Sequence, residues 1–533
     1  MPSRTASLLA ATASVFPSTP RLLLLSMPAA SRALRSGGDG ARRRHLVLVG
    51  GGHAHVQVVK ALRRAARPAS TRITLVDPCA SAAYSGMVPG CVARLYAEED
   101  ARIPLGPLAT WAGVDFVRRR VADVDPVRRR LFLDRDDDGD GESAAEGGDV
   151  PDCLEYDVVS FDIGSTSRGL RDTPGAAART IPTRPIAELV RRVEEAEASL
   201  EKRMAAGSWT GPARVVVVGG GAAGIELALA IRARWRGLRR DHGGLDVTLL
   251  DRGAELLPDE TAPCRAALRR VLSERDVAVK HGATVKAVES DVVRLEGGES
   301  LPFTHAIWAT GARRHPLADA LRDRGVAVSD RGWIRVGPEL QSVSHPDIFA
   351  AGDCCAIEGL PDDRAGPPKA GVYAVRAGPI LVENLTKALA GEPKESLTRY
   401  EPQGEFLKLL MAGDGTALGF RFGLPLRGKW VWELKDHIDR TFVDAFRVPA
   451  EPLPEAGAAT DDGPDAAQFD AVVDDERRGT RTEPEDAAAL LRRTDDAVDF
   501  RAAWSVLRAM MRDGEYRAAV LDRAVEARDR GGT

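Results

Sequence analysis

The chain has 533 residues, 74 Lys and Arg against 78 Asp and Glu, and six cysteines. At about 150 residues per domain there is room for roughly three or four globular units, whose cores need no disulfide staples. A formal charge of −4 provides no chain-wide basic field for nucleic acid, and aromatic residues at 5% leave little surface for stacking bases. No apolar run approaches the ~20 residues of a membrane-spanning helix, and the 52 glycines with a 29% charged fraction fit an α/β protein.

Residues 1–38 contain no Asp or Glu, while Arg4, Arg21, Arg32 and Arg35 are spread among Ser, Ala and Thr. That composition reads as an organellar transit peptide, mitochondrial or plastid, with an Arg-biased disordered head as the alternative. A secretory leader fits less well, because the apolar stretch 22–25 is too short and lies too far from the start.

Next comes a unit that the chain repeats. Residues 45–49 (HLVLV) form an apolar strand that enters Gly50-Gly51-Gly52-His53-Ala54-His55; an amphipathic helix follows over 56–66, then a strand over 73–76 ending at Asp77. Residues 215–218 (VVVV) enter Gly219-Gly220-Gly221-Ala222-Ala223-Gly224, continue as a helix over 225–235, and close with a strand over 247–250 ending at Asp251. In such a βαβ unit the first glycine makes the tight turn and the second lets a pyrophosphate approach the positive end of the helix. The third allows close helix–strand packing, and the terminal acid accepts from ribose hydroxyls. One G-x-G-x-x-G is weak evidence, but two complete units each closed by an acid are strong. In the first unit His55 replaces the third glycine, so it either widens the helix–strand packing or turns its imidazole out beside the ligand.

Between and after the units run shorter apolar strands with small-residue ends: 158–165 (VVSFDIGS), 306–311 (AIWATG) and 347–353 (DIFAAGD). Residues 134–149 are acidic and Gly-rich, as in a solvated hairpin insertion. They begin like a calcium loop but carry Ala145 where the bidentate Glu belongs, so no metal is expected. Residues 451–483 read as a Pro-, Asp- and Ala-rich linker. After it, Leu490, Leu491, Val498, Trp504, Leu507, Met510, Met511, Val520, Leu521 and Val525 recur at helical spacing, which predicts two or three amphipathic helices.

Two dinucleotide units, their echo strands and the late Gly-Asp strand resemble the FAD-dependent pyridine nucleotide-disulfide oxidoreductases over residues 43–450. GGGHAHV, YSGMVPG (84–90), FDIGST, PKAGVYAVR (368–376) and WELKDHIDRTFVDAF (432–446) resemble a narrower group, the NADH dehydrogenase-like flavoproteins. Some of those are fused to selenide,water dikinase, and no dikinase segment is visible in this chain. The resemblance implies an α/β fold in which an NAD(P)H-binding domain is inserted into an FAD-binding domain. The corresponding division is a transit or disordered head (1–42), FAD domain (43–200), NAD(P)H domain (201–328), FAD domain resumed (329–400), C-terminal interface region (401–450), linker (451–483) and helical tail (484–533).

The resemblance also implies the sites. Gly50, Gly52, His53, His55, Asp77, Gly86, Met87, Gly164, Gly352 and Asp353 would hold FAD, with Ala370, Gly371 and Val372 opening the helix that faces the isoalloxazine. Gly219, Gly221, Gly224, Asp251 and Gly311 would hold the nicotinamide nucleotide. Glu226, near the nicotinamide in members of the family, and Lys369 are the candidate catalytic residues; an ordinary acid in a first helical turn is the alternative for Glu226. A carboxylate at 251 favours NADH over NADPH, because it accepts a 2′-hydroxyl and repels a 2′-phosphate, although Arg252 stands next to it.

The cysteines filter the chemistry. Disulfide reductases of this fold use C-x-x-x-x-C or C-x-x-C pairs, and neither occurs. Cys79 and Cys91 are twelve positions apart, and Cys354 and Cys355 are adjacent, so buried structural thiols are expected. Hydride would then pass from NAD(P)H to flavin N5 and electrons onward to a quinone or similar small acceptor, without a cysteine relay. The rivals are a sulfide:quinone oxidoreductase using Cys153 with Cys354 or Cys355, and a flavoprotein kept as a binding or redox-sensing module. Apolar residues at 430, 434, 438, 442 and 446, preceded by Arg427 and Lys429, allow a peripheral membrane contact through 427–446 or a helix packed over the flavin domain. A homodimer is compatible with the sequence; a nucleic-acid partner is not expected.

Overall fold

The computed structural model describes residues 43–64, 66–134, 152–209, 211–236, 244–360, 366–448, 482–494 and 498–530. The expected transit segment, nearly all of the acidic insertion with its calcium-like spacing, and the linker up to residue 481 lie outside the described residues.

Two five-stranded parallel sheets carry the chain. The first has the strand Arg44–Val49 at its centre, paired with Thr71–Val76 on one side and Val158–Phe161 on the other; Asp115–Val117 and Ile348–Ala350 are the outer strands. Leu46, Val47 and Leu48 are fully buried, as a strand covered on both faces requires. Each such side chain contributes roughly 1.5–3 kcal/mol through removal from water. The second sheet repeats the plan around Ala213–Val218, between Leu245–Leu250 and His305–Trp308, with Val277–Lys280 and Ile181–Pro182 at the edges.

The repetition extends beyond the glycine units. Each sheet is accompanied by a three-stranded antiparallel meander, Val121–Asp125, Arg130–Leu133 and Cys153–Glu155 in the first case and Val285–Val288, Val292–Leu295 and Ser300–Pro302 in the second. Because Ile348–Ala350 joins the first sheet after the whole second sheet has been built, the second domain is an insertion in the first, as expected. The boundary falls earlier than residue 201: Ile181–Pro182 already belongs to the second sheet, and the helix Leu189–Ala205 runs across the expected division.

Two contacts fix the domains against each other. Thr166–Ser167 and Ala312–Arg313, which follow the two echo strands, pair antiparallel. Arg234, at the end of the helix Ala222–Arg234, donates through Nη1 to the Val92 carbonyl of the first domain at 3.2 Å, and through Nε and Nη2 at 2.8 and 2.6 Å to Glu197 Oε2, which Arg94 of the first domain also reaches at 2.9 Å. The Arg234 and Glu197 side chains are almost completely buried, a situation in which removal of one partner typically costs ~3–5 kcal/mol.

The strands Lys408–Met411, Ala417–Arg421 and Leu424–Gly428 form an antiparallel sheet that leads into the helix Lys429–Asp444. Three tail helices follow, Pro484–Arg492, Phe500–Arg512 and Gly514–Arg530, as the periodicity predicts. Their buried Leu491, Val506, Leu507 and Met510 form one core with Leu426, Trp430, Val431 and Leu434. The apolar stripe at 430–446 therefore packs inward: Trp430, Leu434, Phe442 and Phe446 are buried, and Ile438 is half-buried against the tail. The stripe divides: Trp430, Leu434 and Ile438 pack with the tail helices, while Phe442 and Phe446 pack into the main core beside His53 and Tyr84, so its apolar side chains are taken up within the protein. No helix among the described residues is long and apolar enough to cross a membrane.

Candidate functional site

A cavity of about 3780 Å3 runs along both glycine units and the N-terminus of the helix Gly371–Ala390. Ligand pockets ordinarily occupy ~300–1,000 Å3, so this space accommodates more than one nucleotide.

At the first cradle Gly50 has φ +91°, and a Cβ there would collide with the Asp162 carbonyl. Gly52 caps the helix His53–Ala61 without a side chain of its own. Asp77 accepts the Gly51 N–H at 2.6 Å and the Cys79 N–H at 2.7 Å, so it holds the loop as well as lining the cavity; burial raises its pKa. His53 lines the cavity, and burial lowers its pKa, which keeps the imidazole neutral. Its ring lies 5.2 Å from Tyr84 and 5.7 Å from Phe442.

The second cradle is the same joint. Gly219 has φ +122° and presses on the Ala309 carbonyl, while Gly221 has open space where a Cβ would be. Gly224 does not reach the cavity, since a Cβ there would strike the Gly219 carbonyl; its part is the close helix–strand packing. Asp251 lines the cavity; its Oδ2 makes no hydrogen bond and has His281 Nδ1 at 3.4 Å, so it keeps acceptor capacity that fits a ribose hydroxyl. Together with two glycine turns leading into helix N-termini along one cavity, that acceptor shows that the residues present fit two dinucleotides.

Asp353 accepts from the Ser165 hydroxyl at 2.9 Å, with Arg184 at 3.7 Å. Gly86, Gly164, Gly311, Lys369, Ala370, Gly371 and Val372 all line the cavity, and Ala370 caps its helix without a side-chain hydrogen bond. Gly352, at φ +71°, lies behind the wall, where a Cβ would press on Asp162. Lys369 donates to the Cys355 carbonyl and holds its ammonium 4.5 Å from the Trp333 ring.

Besides Gly224 and Gly352, two more residues expected at the cofactor stand elsewhere. His55 is fully buried under the sheet, with Nδ1 2.6 Å from the Gly50 carbonyl and Nε2 2.8 Å from Ser160 Oγ. Burial brings its pKa down to about 4, so it is a neutral strut between loop and strand rather than a ligand contact. Met87 is also fully buried in the core, because its chain neighbours Gly86 and Val88 take the positions facing the cavity.

Glu226 is buried at the cavity wall and accepts the Met411 N–H at 2.9 Å. Burial raises its pKa to about 7, against the pull of Lys435. Lys435 donates to Asp439 Oδ2 at 2.6 Å and to the Gly86 carbonyl at 2.7 Å, and the Tyr84 hydroxyl also bonds Asp439. Burial opposes the Lys435 charge, but Asp439 and Glu226 outweigh it and raise the pKa. This network joins the second cradle, the YSGMVPG loop and the helix Lys429–Asp444. Sequence reasoning missed Lys435 and Asp439, although an i, i+4 Lys–Asp pair within an apolar stripe is a visible signal.

Asp162 was missed too. Its Oδ2 accepts the Ala54 N–H at 2.9 Å and the His55 N–H at 3.3 Å, occupying the mouth of the first helix. Burial, reinforced by Asp353 and Asp77, raises its pKa to about 7 despite those two bonds. All six cysteines are free, and burial raises the pKa of every one; Cys355 is held at about 11 and Cys91 at about 12. Cys79 is the one cysteine along the cavity among the described residues.

Residues 44–378 match the family model described as pyridine nucleotide-disulphide oxidoreductase. The chain belongs to that family. It is similar to the demethylphylloquinone reductase NdbB of Synechocystis, at 26% identity over 334 residues, covering 61% of this chain and 73% of that one. Two solved structures share the fold. One is NDH2 of Plasmodium falciparum in complex with NADH, with a TM-score of 0.62 and 12% identity over 76% of this chain and 97% of that one. The other is the sulfide:quinone oxidoreductase of Aquifex aeolicus, with a TM-score of 0.59 and 18% identity over 76% and 91%.

Proposed function

We propose that the chain is an FAD-dependent oxidoreductase that takes electrons from NADH and delivers them to a quinone or similar small acceptor without a cysteine relay. The observation that carries this reading is the single cavity joining the two cradles to the Gly371–Ala390 N-terminus, with no cysteine pair along it among the described residues. Bound FAD would supply the hydride and electron chemistry. This chain's own residues position it: Gly50, Gly52, Asp77 and Asp353 at the nucleotide and ribityl part, and the N–H groups of Gly371–Ala390 at the ring, where a positive helix end favours negative charge.

Gly219, Gly221 and Asp251 hold the second nucleotide, and the Asp251 carboxylate, whose Oδ2 makes no hydrogen bond, supports NADH over NADPH. Glu226, with its raised pKa, is poised to hold or release a proton near neutral pH beside that nucleotide. The similarity to a demethylphylloquinone reductase supports a quinone as acceptor. A thiol relay for sulfide finds little support, since Cys153 lies on a meander strand and Cys354 is buried with its pKa well up. The acid-free Arg-rich head supports import into an organelle, and a fluorescent fusion of the full chain tests it.

The deciding experiment is the flavin spectrum of the purified chain and its anaerobic bleaching by NADH, NADPH and sulfide in turn, followed by reoxidation with quinones. Bleaching by NADH and recovery with quinone are expected. An absence of flavin absorbance, or bleaching by sulfide alone, overturns the reading.

A further inference from the structure

One stretch of the cavity wall carries charge that neither cradle uses. Arg376 stands on the helix Gly371–Ala390, Arg421 ends the strand Ala417–Arg421, and Arg517 lies on the last tail helix, Gly514–Arg530; all three line the cavity. Arg421 is 5% exposed. Its guanidinium carbon is 4.1 Å from the centre of the Phe422 ring, and that of Arg517 is 5.3 Å from the same ring. The Arg421 Nε is buried without a hydrogen-bond partner. Its Nη1 meets Glu405 Oε2 at 3.4 Å, but that carboxylate side chain is 75% exposed and so mostly in water. Burial lowers the Arg421 pKa, Glu405 opposes this, and Arg376 and Arg517 lower it further.

Three guanidinium groups from three separate parts of the chain repel one another on a wall of reduced dielectric, and an unpaired buried donor adds a desolvation penalty. Packing on Phe422 accounts for the face of the Arg421 guanidinium but not for its edge. Nε–H and Nη–H in one plane form the fork that matches a carboxylate or sulfonate. Arg376 lies five residues, or about 7.5 Å, along the helix axis from Gly371, where the isoalloxazine ring is proposed to sit. A small aromatic molecule reaching that helix end could thus place an acidic substituent among the arginines.

We propose that this wall is an acid-binding subsite and that the electron acceptor is an anionic aromatic compound of the carboxylate- or sulfonate-bearing quinone class, its acid held by Arg421 together with Arg376 and Arg517. This rests on the quinone reading above for the ring, and on the arginines alone for the acid.

The test uses two redox-inert compounds of equal size, naphthalene-2-carboxylate and the uncharged naphthalene-2-carboxamide, titrated calorimetrically into the oxidised, FAD-loaded full chain. Wild type is expected to bind the carboxylate at least about tenfold more tightly than the amide, the lower range for charge-assisted hydrogen bonds. R421Q abolishes the difference, and R517Q reduces it severalfold; FAD content and spectrum report that each variant is folded. Should R421Q fail to retain FAD, R517Q on the tail helix carries the comparison. Equal binding of the two compounds by wild type, or a preference that survives R517Q and any FAD-loaded R421Q, overturns the proposal. Because neither compound accepts electrons, the outcome is separate from turnover. An enzyme that reduces quinones but ignores the carboxylate loses the subsite alone, while one that binds the carboxylate but reduces no quinone keeps the subsite and loses the quinone reading.

Discussion

Replacing Asp162 by Asn is expected to stabilise the FAD-free protein, by an amount that grows with pH. The native carboxyl, raised by burial to about 7, keeps its proton well above the ordinary 3.8 at which an unfolded chain releases it. Folding therefore favours the protonated form. Stability is unaffected below about pH 4, is lost as pH rises from there to about 7, and stays reduced beyond it, by about 4 kcal/mol in total. An Asn side chain removes this titration while its carbonyl oxygen still faces the Ala54 and His55 N–H groups. By the same linkage the wild-type penalty is about 2 kcal/mol at pH 5 and about 4 kcal/mol at pH 8, so the advantage of D162N widens by roughly 2–3 kcal/mol between them. Urea unfolding of both apoproteins at the two pH values, followed by fluorescence of the buried Trp235 and Trp430, measures it. An advantage that changes by less than about 1 kcal/mol between the two pH values, or a variant less stable at pH 8, would refute the assignment of a retained proton to this carboxyl.

The two cradles can be separated by their glycines. G50A, which combines a positive φ with a collision against a strand carbonyl, is expected to yield protein without FAD, whereas G219A retains FAD and raises KM for NADH by more than about tenfold; absorbance at purification and initial rates distinguish them. The rate of NADH oxidation is expected to show an inflection near pH 7 that disappears in E226Q, as pH profiles of kcat and KM would reveal. L507A, in the core shared by the tail and the interface sheet, is expected to cost ~2–4 kcal/mol locally. Limited proteolysis would then release the tail early while FAD content stays unchanged.

The backbone of this protein was legible because the glycine units state it locally. A strand, a turn that excludes Cβ atoms and an acid at a fixed distance are short-range constraints, and both copies appear where the spacing put them. His55 shows where that reasoning stopped short: it left the imidazole either in the helix–strand packing or beside the ligand and placed it with the cofactor residues, but the Gly50 loop carbonyl and Ser160 on the neighbouring strand stood ready as partners in the core. The Lys435–Asp439 pair shows locally at i, i+4, but its joining to Tyr84 and Glu226, like the arginine wall, depends on elements far apart in the chain, so no window of sequence displays the whole. The stripe at 430–446 was ambiguous for a related reason, since an apolar face has the same period whether it meets lipid or, as here, the tail helices at one end and the main core at the other.

Part of the cavity wall is made by described residues between Glu405 and Leu521, a later portion of the chain whose tail helices share a second core with it. On the reading proposed above, donor and acceptor preferences are then written largely in different stretches of sequence, with Arg376 the exception. A lineage, or an engineer, could exchange the later stretch and redirect electrons to a new recipient while the seat for the nicotinamide nucleotide stayed as it was. Chains alike across residues 44–378 need not share a destination for those electrons.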